Sequence, residues 1–470
     1  MNLRKYLTFA AGPIAAAIFT ALTLPVMTWI VTPESIGAFA LFQLTIALVF
    51  TVTSLGLEQA LVRSYYEVES KKALFFETLI PALIWLALVL LVLLLTSKLG
   101  SLLVYLGLVG YELPLIVCLA FNLICTFCSC VLRMEGKALV FSTYLVVPKF
   151  LVFIVIFFGA FFGLNIGLTE LVYSHTISLV LAGVIVLLST GKIFKGESGY
   201  SLRPDSIKAH LRFGSPLVFS AVAFWGMTAF DRYALSIWGD LGQVALYSVA
   251  ANFAAIGLLF QAIFSTMWSP AFYKWVSDGV DEGKIESALE IGVPLALLLY
   301  ATVGVGSKLL VYIVPDSYSQ VQNLVVVCLS FSILYCLSEI TVVGLYAKRF
   351  TKLAMLAPIF GASVNVALCY VLIPIYGAAG AGVGVSIGCY VFFLLRTELS
   401  SRYYGAFKRM KSYLFMAICV AIAACQAVYG KGNEVIFVIL WAACFPIVFI
   451  VFRKTFSKAF RMLQVRANSA

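Results

Sequence analysis

The sequence predicts an all-α polytopic membrane protein of about 14 transmembrane helices, arranged as two pseudo-symmetric six-helix lobes followed by a C-terminal helix pair. Three observations carry this expectation. Of 470 residues, 63% are hydrophobic and 11% charged, against about 45–50% and about 25% in soluble domains. Apolar runs of roughly 20 residues recur along the whole length, each long enough at 1.5 Å per residue to cross a hydrocarbon core about 30 Å thick. A transmembrane barrel would show alternation over about 10 residues instead. The basic residues also sort by side: of 32 Lys and Arg, 27 fall in segments that the run count places inside and three, Lys98, Lys308 and Lys431, outside. That asymmetry is what the positive-inside rule demands, and a missed span would scramble it.

The expected spans centre near residues 19, 48, 85, 122, 150, 179, 225, 255, 297, 332, 363, 388, 420 and 442. The first follows MNLRK and ends before Thr32 and Pro33. It is too long for the apolar region of a secretory signal and has no cleavage site, so it reads as a retained span with its start in the cytoplasm. An even span count then puts both termini inside. The longest connection, around GESGYSLRPD, divides the chain into an N-terminal lobe (1–190), a cytoplasmic linker (191–212), a C-terminal lobe (213–400), and a last helix pair with a basic tail (401–470). Traces of a parallel repeat cross this division. Residues 34–41 (ESIGAFAL) resemble 242–249 (GQVALYSV), and 162–167 (FGLNIG) take the place that 376–380 (YGAAG) take later.

The formal charge of +11 is therefore topogenic, which argues against nucleic acid as a partner. All eleven cysteines, including Cys125, Cys128 and Cys130, fall within apolar runs, where cysteine behaves as a small hydrophobe. No metal or cofactor is expected. No loop exceeds roughly 25 residues on this span count, so a soluble catalytic domain is not expected either, and the chain reads as no enzyme. The run of small residues at 377–384 reads as close helix packing.

Several strings resemble the polysaccharide-repeat flippases, the Wzx-type branch of the MOP transporter superfamily. Residues 25–37 (PVMTWIVTPESIG) and 55–67 (LGLEQALVRSYYE) are similar to that family's first two spans; FGSPL at 213–217, DRY at 231–233, YSVA at 247–250, and WSP at 268–270 with Tyr273 and Lys274 are similar to its seventh and eighth. The chain departs from the family at Trp29 and Asn252, where a basic residue and a lysine are frequent. The resemblance implies a carrier of the bacterial inner membrane that flips polyprenyl-diphosphate-linked oligosaccharides, such as O-antigen or exopolysaccharide repeat units, to the periplasmic leaflet. It also implies the lipid bilayer, a polymerase and chain-length machinery as partners. A cation-coupled small-molecule exporter of the same superfamily is the alternative, and a membrane polymerase or glycosyltransferase is the alternative from another class.

Ionisable groups inside spans cost about 2.5–3.5 kcal/mol each on insertion scales and are candidates for function on that ground. Lys149 sits near the middle of the fifth run, beside Pro148, which frees a backbone carbonyl one turn back. Arg232 ends the seventh run, and a guanidinium matches phosphate oxygens well. These two are the expected diphosphate-binding residues. Asp231, Glu339 and His175 are the expected titratable, coupling residues, and Glu58 with Arg63 the expected cytoplasmic gate.

Overall fold

The computed structural model describes residues 3–96, 98–195, 202–280, 283–348, 350–453 and 455. Residues 196–201 of the expected linker, most of the basic tail and the side chains of Arg4 and Lys5 lie outside this description. The chain divides into two compact units, residues 1–225 with 240–245 and residues 226–239 with 246–470.

The first unit contains α1 (Leu3–Ile30), α2 (Pro33–Thr53), α3 (Leu57–Ser64), α4 (Lys71–Leu95), α5 (Lys98–Tyr105), α6 (Glu112–Met134), α7 (Ala138–Phe162), α8 (Leu168–Ile193) and most of α9 (Pro204–Thr228). The second contains α10 (Phe230–Trp238), most of α11 (Leu241–Ala254), then α12 (Ile256–Ser277), α13 (Lys284–Gly306), α14 (Val321–Ala347), α15 (Thr351–Tyr376), α16 (Ala378–Tyr403), α17 (Met410–Tyr429) and α18 (Glu434–Val451). Among the described residues twelve helices are long and apolar enough to cross a membrane, or thirteen when α9 and α10, bent by 54° at Ala229, count as one span. The run centred near residue 255 is divided between α11 and α12 at Ala255. The protein is thus an all-helical, multi-pass membrane protein.

Local chemistry sets where these helices begin and turn. Thr32 caps α2, its hydroxyl accepting from the Ser35 amide at 3.4 Å, with Pro33 and Glu34 in the first turn. Ser70 caps α4 in the same way, accepting from Ala73 at 3.1 Å. The two repeat-related strings at 162–167 and 376–380 are the tight turns between α7 and α8 and between α15 and α16; each places a glycine in the left-handed region, Gly163 at φ 64° and Gly377 at φ 55°. The other repeat pair meets in space. A Cβ on Gly37 of α2 would strike the carbonyl of Leu241 at the start of α11, so only glycine lets those two backbones approach.

The expected linker is only partly a linker. From Pro204 it is already helix, and it is held to the first unit by Glu77 of α4, a carboxylate 5% exposed. Glu77 accepts from the Arg203 amide at 3.0 Å and from the Ser206 hydroxyl at 2.6 Å, and the His210 imidazole lies 3.8 Å away. A carboxylate at a helix N-terminus satisfies free amides and the helix dipole together. One turn further on, α9 touches the break between α2 and α3, where Leu55 and Gly56 both have positive φ. A Cβ on Gly214 would lie 2.5 Å from the Leu55 carbonyl oxygen and 2.9 Å from Gly56. The unit boundary consequently falls within α9, beyond this clamp, and not at residue 212.

At the start of α4, Lys71 pairs with Glu135 at 2.6 Å and Tyr65 donates to the same carboxylate at 2.9 Å. The Lys71 hydrogen bond, ahead of that from Tyr65, holds the Glu135 carboxyl below its ordinary range. In the second unit α14 is the enclosed helix, packed by α12, α13, α16 and α17.

The glycine pair makes a direct test. Gly214→Ala should destabilise the protein by about 1–3 kcal/mol through overpacking, seen as a lower thermal transition in detergent, whereas Gly191→Ala, whose Cβ would meet nothing within 4 Å, should change it little. Equal transitions for the two variants would show that the backbone contact at Gly214 is not tight.

Candidate functional site

In the first unit the candidates gather on α7 and α8. Lys149 is the twelfth residue of α7, about 16 Å along the helix from its start at 1.5 Å per residue. Pro148 precedes it and is buried, so the Tyr144 carbonyl loses its usual intrahelical donor. The Tyr144 side chain is tied down, donating to Asn122 Oδ1 at 3.0 Å and lying 3.1 Å from the Thr126 hydroxyl. Lys149 itself is half-buried and makes no hydrogen bond or ion pair with any described residue. His175 of α8 lies within electrostatic range of it. Phe39 and Phe42 of α2 stand perpendicular to the His175 ring at 5.9 and 6.2 Å, and its Nδ1 is buried without a hydrogen-bond partner.

Glu58 and Arg63 share α3 but do not pair. Five residues on a helix turn the side chains about 140° apart. Glu58 keeps one buried carboxylate oxygen without a partner and acts on Cys130 of α6. Arg63 is exposed and lies over the Phe213 ring at 4.5 Å. Two strings singled out separately in the sequence, 55–67 and 213–217, therefore meet twice, through Gly56 with Gly214 and through Arg63 with Phe213.

In the second unit the charged pair sits at the helix break. Ala229 separates α9 from α10, and this leaves carbonyls at the end of α9 without intrahelical donors. Side chains take their place. Arg232 Nη1 donates to the Thr228 carbonyl at 3.3 Å, and Asn365 Nδ2, fully buried on α15, donates to that of Gly226 at 3.4 Å. The Arg232 guanidinium also lies 5.3 Å from the Tyr247 ring centre. Asp231 is 1% exposed, and neither carboxylate oxygen has a hydrogen-bond partner of good geometry. It stands in the first turn of α10, with Arg232, the Tyr247 phenol and the thiols of Cys328, Cys369 and Cys389 within electrostatic range.

Glu339 has a partner that sequence reasoning did not give it. Arg396, counted among the cytoplasmic loop cations, lies inside α16 and is buried. Its Nη1 donates to Glu339 Oε1 at 2.7 Å and to Ser338 Oγ at 3.3 Å, and its guanidinium rests 4.4 Å from the Phe392 ring. Sequence reasoning also passed over Glu77. The available signal was an acidic residue seven positions into an apolar helix, and its closeness to the helix start hid it.

Long apolar helices in two units, with ionisable side chains at mid-helix and at a helix break, define a multi-pass membrane protein. Residues 3–276 match the family model described as "Polysaccharide biosynthesis protein". The match covers more than half of the chain, and the chain belongs to that family. Its fold is that of MOP-superfamily transporters. It is similar to the lipid II flippase MurJ in an inward closed conformation, with a TM-score of 0.69 and 15% identity over 97% of this chain and 99% of that one. It is also similar to the inward-facing conformation of a multidrug resistance MATE family transporter of the MOP superfamily, with a TM-score of 0.63 and 17% identity over 84% of this chain and 96% of that one. The outward-facing conformation of such a MATE transporter gives a TM-score of 0.56 at 17% identity, over 87% and 96%. Among curated proteins none is similar in sequence.

The Arg396–Glu339 pair separates a structural from a spare charge. Arg396→Ala strands the Glu339 carboxylate in an apolar setting and should cost about 3–5 kcal/mol, read as loss of thermal stability in detergent. The double change Arg396→Met with Glu339→Leu removes both charges and should recover most of that loss; equal loss in both variants would show that pairing is not what holds the region.

Proposed function

We propose that the protein flips polyprenyl-diphosphate-linked oligosaccharide repeat units from the cytoplasmic to the periplasmic leaflet of the bacterial inner membrane by alternating access. Family membership and the transporter fold support the class of activity. The observation that carries the substrate reading is Lys149, a cation near mid-helix with no ion partner among the described residues. An ammonium left unpaired at that depth is costly, and a diphosphate headgroup supplies the missing anion. Arg232 is the second proposed phosphate contact, at the mouth of its span, where it also completes the end of α9. Asp231, Glu339 and His175 are the proposed titratable groups, and Glu58 with Arg63 the proposed cytoplasmic closure. Both termini lie in the cytoplasm on this reading. The lipid tail remains in the bilayer, and polymerase and chain-length proteins receive the product.

Asp231 favours a second reading. A fully buried carboxylate with two unpartnered oxygens suits a monovalent cation or proton, as a cation-coupled small-molecule exporter needs. Binding of organic cations against binding of lipid diphosphates to the purified protein separates the two.

Lys149→Ala should abolish polymer export while the protein still inserts at normal abundance, measured by surface polysaccharide and membrane immunoblot; full export by this variant would refute the headgroup site. With the cell interior negative, outward movement of a dianionic headgroup releases roughly 2.3 kcal/mol per charge per 100 mV, hence roughly 4.6 kcal/mol in all. Collapsing the potential at a fixed pH gradient in proteoliposomes should slow flipping. An unchanged rate would remove the potential as a driving force.

A further inference from the structure

The hydrogen-bond ladder of α7 is interrupted immediately before Lys149. Pro148 has no amide to give the Tyr144 carbonyl, and its ring crowds that carbonyl, so α7 bends more easily at this point than elsewhere. The direction in which the Lys149 side chain leaves the helix therefore depends on what fixes α7 beside the interruption. Tyr144 is fixed to α6. Its phenol donates to Asn122 Oδ1 at 3.0 Å and lies 3.1 Å from the Thr126 hydroxyl, which in turn donates to the Asn122 carbonyl at 2.8 Å. Asn122 and Thr126 stand one turn apart on α6, so the phenol is the single α7 member of this network. Beyond the proline, α7 meets α1 through rings, with Phe150 and Phe153 at 5.1 and 5.6 Å from Phe19. Ring contacts fill space, whereas a hydrogen bond in an apolar medium fixes direction as well.

We propose that Tyr144 is a positioning residue of the headgroup site: by tying α7 to α6 on the near side of Pro148, it holds Lys149 in the direction in which the ammonium meets a diphosphate. The inference rests on the headgroup reading of Lys149 and adds to it the group that orients the cation. Tyr144 acts through Lys149, five residues and about 7.5 Å of helix rise further on, and not on the anion itself. Such a tie can bias the site by no more than its own interaction free energy. For an interhelical hydrogen bond within a membrane, this bounds the effect on affinity at roughly three- to twentyfold.

The test compares two variants of the purified full chain with the wild type, by calorimetric titration with inorganic diphosphate and by thermal transition in detergent. Tyr144→Phe removes one oxygen atom, and with it the tie, and strands the Asn122 amide in an apolar setting. Asn122→Leu combined with Tyr144→Phe removes the tie and leaves no amide behind. The single variant should lose thermal stability and the double variant should regain most of it. Both should nevertheless bind diphosphate more weakly than the wild type, by roughly three- to twentyfold. A network that serves packing alone moves affinity only together with stability. Wild-type affinity in either variant therefore overturns the positioning role and leaves the headgroup site standing. No diphosphate binding by the wild-type protein, or binding undiminished by Lys149→Ala, overturns both.

Discussion

A backbone that runs through lipid must satisfy its own amides and carbonyls, and every break in a helix creates groups that water cannot reach. This constraint explains where the polar side chains of the protein are. At Ala229, where α9 gives way to α10, the released carbonyls of Gly226 and Thr228 are taken by Asn365 and Arg232. At the start of α9 the free amide of Arg203 is taken by Glu77. At the break after α2 the backbone of Leu55 and Gly56 is covered by the backbone of Gly214, an approach that side chains at either glycine would prevent. Polar residues that read as functional in isolation thus also hold the breaks together, and Arg232 does both kinds of work in the proposed cycle.

Buried charges fall into two chemical kinds. Arg396 and Glu339 answer each other, and aromatic rings cover the guanidinium. Such a pair repays its desolvation only through good geometry and specifies packing more than it adds stability. Lys149, His175 and Asp231 are of the other kind: at positions where desolvation is expensive, none of them has an ion pair among the described residues, whereas Arg396, though its Nε is also without a partner, is paired through Nη1. An incomplete electrostatic environment is the ordinary mark of a place where a ligand or a proton comes and goes. Unsatisfied groups therefore point to the site more sharply than charged groups in general do.

The helical, multi-pass architecture was legible because length, hydropathy and the side preference of Lys and Arg are all one-dimensional quantities. Caps are local as well, although the sequence reading named neither: Thr32 and Ser70 lie immediately before the helices they start, and Gly163 and Gly377 lie at the turns they permit. The family resemblance was legible for a similar reason, since its strings are short and in order. The same local reading explains the errors. Arg396 was counted with the loop because a run of hydropathy ends near it, although α16 continues to Tyr403. Residues 204–212 read as linker because they are polar, although they form the first turns of α9.

The residues alone were enough for the medium, the helical class, the repeated turns and the identity of Lys149, Asp231, Arg232 and His175 as ionisable groups in costly places. Those properties follow from composition and from transfer free energy, which need no knowledge of neighbours. Tertiary structure alone decided which of those charges are answered. Glu339 meets Arg396 across 57 positions of sequence, and Glu77 meets Ser206 across 129. Lys149 pairs with none of the described residues, and Asp231 meets no donor of good geometry. Partnership depends on distances of a few ångströms between helices far apart in the chain, and no periodicity or local propensity encodes it.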